Sequence, residues 1–393
     1  MTHTGALNCI VPPHILTKLL ESSDSDVREA ARLTLLSNAR LQGQREVRAT
    51  SLGRAAPAQG RRTVFDCRHS TVLPSAVLAR SEDGAASGDA SVNRAFDGFG
   101  ATREFYLSVL GRNSIDDHGM RLDGYVHRGN NYNNAFWDGQ EMVFGDGDGV
   151  IFSDFTGSLD VIGHELTHGV TEFTAALEYH NQSGALNEHM SDAMGSLVKQ
   201  YKLGQTADQA DWLIGPEVFT PGIAADALRS MKAPGTAYDN PTLGKDPQPA
   251  TMDGYVNLPD TDEGDNGGVH INSGIPNHAF YLVAVGIGGN AWEAPGHIWY
   301  ESLRASTQTT DFQAFADTTA SKAGELYGTG SNEQTAVREA WDQVGITIST
   351  AGARRPARPP AGAIPTPRDE IVRQVDELAA LADKLRSELH LSS

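Results

Sequence analysis

The segment GHELTH, residues 163–168, holds His164 and His168 four positions apart with Glu165 between them. On a helix, one turn stacks both imidazoles on the same face, the spacing of a bidentate metal clamp. Two imidazoles do not close a metal site. The metzincin pattern would need Gly at 171 and His at 174, and Thr171 and Thr174 exclude it. The other solution is a carboxylate from a following helix, and GALNEHMSDAMG (184–195) offers Glu188. Asp192 lies one turn further on that face, placed to accept the second ring N–H of a ligating histidine. His189 competes with its neighbour Glu188. Adjacent helical positions point about 100° apart, so only one of the two faces the metal, and spacing alone does not choose. The face shared with Asp192 favours Glu188. Two His and one Glu leave a tetrahedral zinc with one position for water, which is a catalytic arrangement. A structural site would more often use cysteines, and Cys9 and Cys67 are distant in the chain.

These groups need rigid elements to hold them. Ser158 is a candidate N-cap for the first helix, and Val161, Ile162 and Leu166 supply its apolar face. Upstream, the body is rich in Gly, Asn, Asp and aromatics with short apolar runs, which predicts strands and turns. From 158 onward the helical patterns lengthen. The expected organisation is a leader and linker over 1–60, a β-rich lobe over 61–157, a helical lobe over 158–350 and a tail over 351–393. In the leader, Asp24 or Ser25 caps a helix carrying Val27, Ala30, Ala31 and Leu35. SLGRAAPAQGRR (51–62) reads as an exposed, protease-sensitive linker. In the tail, a stiff Pro/Ala/Arg stretch precedes Ile371, Val375, Leu378, Ala382, Leu385 and Leu389, a heptad-like seam of fewer than three heptads. That seam predicts docking on the body or a partner, or self-association.

Composition narrows the function classes. The chain has 393 residues, 39% hydrophobic and 21% charged, with a net charge of −19. The first 62 residues carry 9 Lys+Arg against 5 Asp+Glu, and residues 351–393 carry 7 against 6, leaving −24 on the body. A basic leader is attracted to such a body, and nucleic acid is not an expected partner. No run approaches the roughly 20 apolar residues of a membrane helix. The N-terminus lacks the basic and apolar blocks of a secretory signal. Two cysteines make no disulfide framework and do not decide the redox compartment.

GHELTHGVTEFTAALEYHNQSGALNEHMSDAMGSLV (163–198) resembles the zinc core of the thermolysin-like neutral metalloproteases. The resemblance extends upstream to NNAFWDGQEMVFGDGDG (133–149) and downstream to ALRSM (227–231) and DNGGVHINSGIPNHAFYLV (265–283), in the family's order. The leader NCIVPPHILTKLL (8–20) is similar to the short prosegment of the protealysin-like subgroup. The resemblance implies an α+β, two-lobed fold with the zinc helix at the cleft between lobes. It implies a zymogen whose leader acts as an inhibitor and is removed near 40–62 by the enzyme's own activity.

The family's roles carry over residue by residue. Glu165 matches the general base, His164, His168 and Glu188 the zinc ligands, and Tyr179 and His270 the groups that stabilise the oxyanion. Asp265 matches the carboxylate that orients His270. Asn134 and the backbone of Ala135 match positions that bind the substrate main chain along a strand edge, and Arg229 the donor to a substrate carbonyl. Phe152, Phe155, Val161 and Leu228 match the pocket for the residue after the scissile bond, implying cleavage before bulky apolar residues. The chain departs from the family at its double calcium site. Lys199, Leu213 and Pro216 stand where acids are expected, so an ammonium beside Asp160 and Asp211 takes calcium's place. Thr220 and Asp226 leave room for one weaker calcium site, and GDGDG (145–149) reads as a turn without metal.

Two alternatives stand beside a general endopeptidase: a non-catalytic zinc-binding scaffold, and a narrow protease recruited to one partner by the tail. The scaffold would predict loss of Glu165 or His270, and both are present. The family resemblance implies secretion; with no visible signal, non-classical export or cytoplasmic action are the other expectations.

Overall fold

A computed structural model describes residues 8–49 and 61–349. The 51–60 part of the expected linker and the whole tail seam lie outside the described residues. By internal contacts the chain divides into Met1–Ile348 and Ser349–Ser393, and the fold below is that of the first unit.

A six-stranded sheet forms the N-terminal lobe. Its strands are β1 (Asn8–Cys9), β2 (Arg62–Asp66), β3 (Val77–Ser81), β4 (Leu122–Val126), β5 (Ala135–Trp137) and β6 (Glu141–Phe144), in the order β1-β5-β6-β4-β2-β3. β2, β4 and β6 run parallel, while β1, β5 and β3 pair antiparallel with their neighbours. β1 comes from the leader, so the leader supplies one edge of the peptidase sheet. The described leader also carries two helices, α1 (Pro13–Leu19) and α2 (Ser25–Ala49). Asp24, rather than Ser25, caps α2, its Oδ1 accepting from the Asp26 amide at 2.8 Å. Arg62, expected in the linker, opens β2 and its guanidinium pairs with Glu82.

The lobe is less purely β than expected. α3 (Ala90–Leu110) crosses it between an Asp89 N-cap, which accepts from the Ser91 and Val92 amides, and a left-handed Gly111. Its Phe96, Phe99, Phe105 and Tyr106 are buried, so aromatics that suggest strands and turns in fact belong to a largely buried helix. The GDGDG segment is an irregular loop that bends at Gly149. Asp148 Oδ1 accepts from the amides of Val150, Ile151 and Phe152, and Asp146 pairs with His127.

The second lobe is built on α4 (Leu159–Glu172) and α5 (Asn181–Leu203), followed by the short pair β7 (Leu213–Ile214) and β8 (Arg229–Ser230). α6 (Asp265–Asn272), α7 (Gly274–Ile287), α8 (Ala294–Ala305), α9 (Phe312–Tyr327) and α10 (Asn332–Gln343) complete it around buried Phe280, Trp299, Phe315 and Trp341. Ser158 occupies the N-cap position of α4 but its hydroxyl does not cap. It lies instead within hydrogen-bond distance of the Asp160 and Glu217 carboxyl groups. Among the described residues no helix is long and apolar enough to cross a membrane.

α4 and α5 approach closely because glycines face one another at their crossing. A Cβ on Gly163 would sit 3.0 Å from Gly195 Cα, and a Cβ on Gly195 would sit 2.5 Å from the Asp160 carbonyl oxygen and 2.9 Å from His164 N. This crossing lets α5 deliver a side chain to imidazoles on α4. Gly195→Ala must push the helices apart, with a cost of about 1–3 kcal/mol for overpacking. Chemical denaturation and zinc titration of that variant are expected to show lost stability together with weakened zinc binding.

Candidate metal centre and catalytic cleft

His164, His168 and Glu188 meet between α4 and α5, fully buried, with one ligand atom from each lying within 4.8 Å of the others. The outer side of each imidazole is fixed. His164 Nδ1 lies 2.8 Å from Asp192 Oδ1, and His168 Nδ1 lies 2.8 Å from Asn187 Oδ1. Asn187 Nδ2 donates to the Leu177 carbonyl, so its oxygen faces His168. With protons assigned to both Nδ1 atoms by these acceptors, the two Nε2 lone pairs point at each other across 3.0 Å. Glu188 stands 3.6 Å from one and 3.4 Å from the other, and its Oε2 is buried without a hydrogen-bond partner. Facing lone pairs beside an unpartnered carboxylate oxygen fit a divalent cation, and N₂O ligation suits zinc. Burial lowers the His164 pKa to about 4 and the His168 pKa to about 3, which keeps both neutral, the form that ligates.

His189 takes no part in this cluster. It faces the other way, to Asn277 and Trp299, each 2.7 Å away. The choice between the two neighbours therefore falls to Glu188, in keeping with the face it shares with Asp192.

Glu165 comes from the turn of α4 that faces β5. Its Oε2 accepts from the Trp137 amide at 3.0 Å, while Oε1 is buried without a partner. Burial, and then the charge of Glu188, push its carboxyl well above the usual range, toward what a proton acceptor at neutral pH requires. Opposite it, Tyr179 OH donates to Glu188 and lies 3.3 Å from His270 Nε2. Asp265 accepts from the His270 amide at 2.9 Å and from its Nδ1 at 2.5 Å. That hairpin of contacts needs Asp265, Asn266, Gly267 and Gly268 all at positive φ, which the DNGG sequence tolerates. Burial lowers the His270 pKa, but Glu188 and Asp265 overcome it and raise the value to about 9, so Nε2 carries a proton.

The leader's backbone fills the cleft between these groups. The Cys9 carbonyl faces His270 Nε2 at 2.9 Å, and the Ile10 amide donates to the Ala135 carbonyl at 3.2 Å. The Ile10 carbonyl accepts from Arg229 Nη1 at 3.0 Å, and the Val11 amide donates to Asn134 Oδ1 at 3.0 Å. Further along, Thr34, Ser37 and Asn38 of α2 accept from the Asn133 amide, Arg128 and Tyr132. Arg229 also clamps Asp192 with Nε and Nη2, each at 2.8 Å. Phe152, Phe155, Val161 and Leu228 are all buried in the same apolar cluster as Ile10. Phe152 packs on Phe155 and Phe219, while Val161 and Leu228 both border Gly215.

Away from the cleft, Lys199 Nζ lies 2.7 Å from Asp160, 3.1 Å from Asp211 and 3.1 Å from the Leu213 carbonyl. Thr220 commits its hydroxyl to the Val150 carbonyl at 2.6 Å. The residues that sequence spacing does not indicate are Asn187, which orients His168, the Trp137 amide, which holds Glu165, and Asn277, which donates to Asp192. Only Asn187 has a local signal, as the residue preceding Glu188.

Comparison with known proteins agrees with this geometry. Residues 55–172 match the thermolysin metallopeptidase catalytic domain, and residues 175–346 match the thermolysin metallopeptidase alpha-helical domain. An extracellular metalloprotease of Pectobacterium carotovorum subsp. carotovorum is 46% identical over 343 residues, covering 86% of this chain and 96% of that protein. The thermolysin of Alicyclobacillus acidocaldarius is 41% identical over 291 residues, which is 72% of this chain and 50% of that longer protein. Among solved structures, the precursor of protealysin, a metalloproteinase from Serratia proteamaculans, is 46% identical with a TM-score of 0.78. The match covers 86% of this chain and 100% of that one.

One leader contact predicts that docking depends on pH. His14 is half-buried, with Nε2 2.8 Å from Tyr238 OH and Nδ1 enclosed without a partner. Burial lowers its pKa from 6.5 to about 4; Asp265 opposes the shift, and the positive charges of His270 and Arg229 assist it. A pKa lower in the docked state favours docking at neutral pH, and this contribution fades as pH falls from 6.5 toward 4. In the intact Glu165→Gln chain, an added protease is therefore expected to digest the leader faster at pH 5 than at pH 7. His14→Phe should flatten that difference; an equally steep dependence in His14→Phe would exclude this residue as its source.

Proposed function

This chain belongs to the thermolysin family of zinc metallopeptidases, hydrolases of peptide bonds, and it is made as a precursor. On that premise we propose the part each residue takes. His164, His168 and Glu188 hold the zinc, which when bound supplies the Lewis acidity that activates water and polarises the scissile carbonyl. Glu165 accepts the proton of the attacking water at Oε1 and delivers it to the leaving amine nitrogen. Tyr179 OH and the protonated Nε2 of His270 donate to the oxyanion, with Asp265 holding the imidazole charged and oriented. Asn134, the Ala135 carbonyl and Arg229 align the substrate main chain. Asp192 braces both His164 and Arg229.

The observation that carries this reading is the register of the leader. Its Cys9–Ile10 peptide meets the groups assigned to a scissile bond: His270 on the Cys9 carbonyl, Ala135 on the Ile10 amide and Arg229 on the Ile10 carbonyl. Ile10 thus stands for the residue after the cut, and its membership of the same apolar cluster as Phe152, Phe155, Val161 and Leu228 supports cleavage before bulky apolar residues. The same occupancy supports the leader as an inhibitor that blocks the cleft until the linker is cut and the leader's own contacts give way.

The stretches 1–60, 61–157, 158–350 and 351–393 are read as leader with linker, two peptidase lobes and tail. Lys199 is read as replacing calcium at the double site, since its ammonium neutralises Asp160 and Asp211. Thr220, with its hydroxyl engaged elsewhere, gives no support to a separate site with Asp226. Calcium in excess is then expected to leave the thermal unfolding midpoint of the zinc-loaded protein unchanged; a rise of several degrees would restore a calcium site.

Action outside the cell is proposed from the relative named as an extracellular metalloprotease. In a producing culture, the wild type should collect in the medium without its leader. Glu165→Gln should collect there at full length, bind zinc normally and leave casein intact. Undiminished casein turnover by that variant would remove Glu165 from the mechanism, and retention of both proteins inside the cells would overturn the location.

A further inference from the structure

Behind the metal centre, Asp192 is reached by a chain of hydrogen bonds through Trp299, His189 and Asn277 that the chemistry above does not use. Trp299 Nε1 donates to His189 Nε2 at 2.7 Å, and His189 Nδ1 lies 2.7 Å from Asn277 Oδ1. Asn277 Nδ2 donates to Asp192 Oδ2 at 2.8 Å, and Asp192 Oδ1 faces His164 Nδ1 at 2.8 Å. All five residues are buried. The direction of every bond follows from one end. An indole N–H only donates, so His189 Nε2 must accept and its proton must sit on Nδ1. That proton requires the oxygen of Asn277, whose NH₂ is then turned to Asp192. Neither the imidazole nor the amide can flip without stranding a buried polar group.

Asp192 is the point where this chain meets the site. Its two oxygens receive four donors: His164 Nδ1 and Arg229 Nη2 on Oδ1, Arg229 Nε and Asn277 Nδ2 on Oδ2. The carboxylate therefore serves the metal ligand His164 and the guanidinium that reaches the Ile10 carbonyl at the same time. Asn277 alone among these donors belongs neither to the ligand set nor to the substrate grip.

We propose that Asn277, oriented by His189 and Trp299, is a positioning residue that sets the Asp192 carboxylate and through it the hold of His164 on the metal. The proposal rests on the reading of His164 as a zinc ligand. Without the Asn277 amide, Asp192 loses one of four donors in a dry site and is free to turn toward Arg229, so His164 loses its fixed tautomer and orientation. Loss of such outer support typically weakens metal binding by about 10–100-fold.

The test compares the intact wild-type chain with Asn277→Leu, which keeps volume without a donor, and Trp299→Phe, which keeps an aromatic ring without the N–H. Zinc affinity is measured by competition with a chelator, and ligand geometry by the visible absorption of the cobalt(II)-substituted protein. Asn277→Leu is expected to weaken zinc binding about tenfold and shift the cobalt bands. Trp299→Phe is expected to move both in the same direction by less. Wild-type affinity and cobalt spectrum in the folded variants would overturn the proposal. Should Asn277→Leu fail to fold, Trp299→Phe decides by the same two readouts. His164→Ala serves as the control: unchanged zinc affinity there would overturn the ligand assignment itself, whereas a loss there with unchanged Asn277→Leu and Trp299→Phe would overturn only the relay.

Discussion

Four carboxylates, Glu165, Glu188, Asp192 and Asp265, are buried within one small volume. Such a concentration of acid is tolerable only with positive charge placed among it, because each unpaired charge taken from water costs several kcal/mol. The protein supplies part of the compensation. Arg229 clamps Asp192, and protonated His270 sits against Asp265 and 3.6 Å from Glu188. Glu188 and Glu165 each keep one oxygen without a partner. This remaining demand is what a divalent cation and its water satisfy, so metal binding and the stability of the core are the same problem.

The solution depends on backbone proximity more than on the ligands themselves. α4 and α5 carry His164, His168 and Glu188, but the side chains converge only because Gly163 and Gly195 remove two Cβ atoms from the crossing. The acid pair at the other end of α4, buried Asp160 and exposed Asp211, is handled differently. Asp160, on α4, and Asp211, which follows α5, are neutralised by Lys199, a side-chain cation carried by α5 itself. One helix pair thus holds a metal-type site and an ammonium-type site, chosen by whether a lysine or a pair of imidazoles reaches the acids.

The leader occupies the strand edge proposed above for substrate. β5 exposes a carbonyl at Ala135 and a side-chain acceptor at Asn134, and the leader segment from β1 to Val11 fills both. Its grip is spread over a strand in the cleft and a helix docked on residues 128–133, so a cut in the linker removes none of the contacts that hold it. Release therefore requires those contacts to weaken, and the half-buried imidazole of His14 is one place where protonation is expected to do so.

Much of the site is legible in the chain's own spacing. HExxH puts two ligands and a base on one helical turn, because 3.6 residues per turn is a local property of the backbone. Thr171 and Thr174 rule out one continuation for the same local reason. Motif order carries the resemblance that brings Glu188, Tyr179, Asp265, His270 and Arg229 together. Other features need the fold. α3 is hidden because its aromatic and glycine content resembles strand and turn, and its burial is a tertiary fact. Ser158 sits at a cap position but bonds to Glu217, a partner 59 residues away. Asn187 turns its oxygen to His168 only because Leu177 takes its nitrogen, and Asn277 reaches Asp192 across 85 residues. The sequence by itself determined which groups could do the chemistry and how they share a helical face. Only the tertiary structure decided which of Glu188 and His189 turns inward, what holds each imidazole from behind, and where the leader's backbone lies, because these depend on distances between segments that no local periodicity encodes.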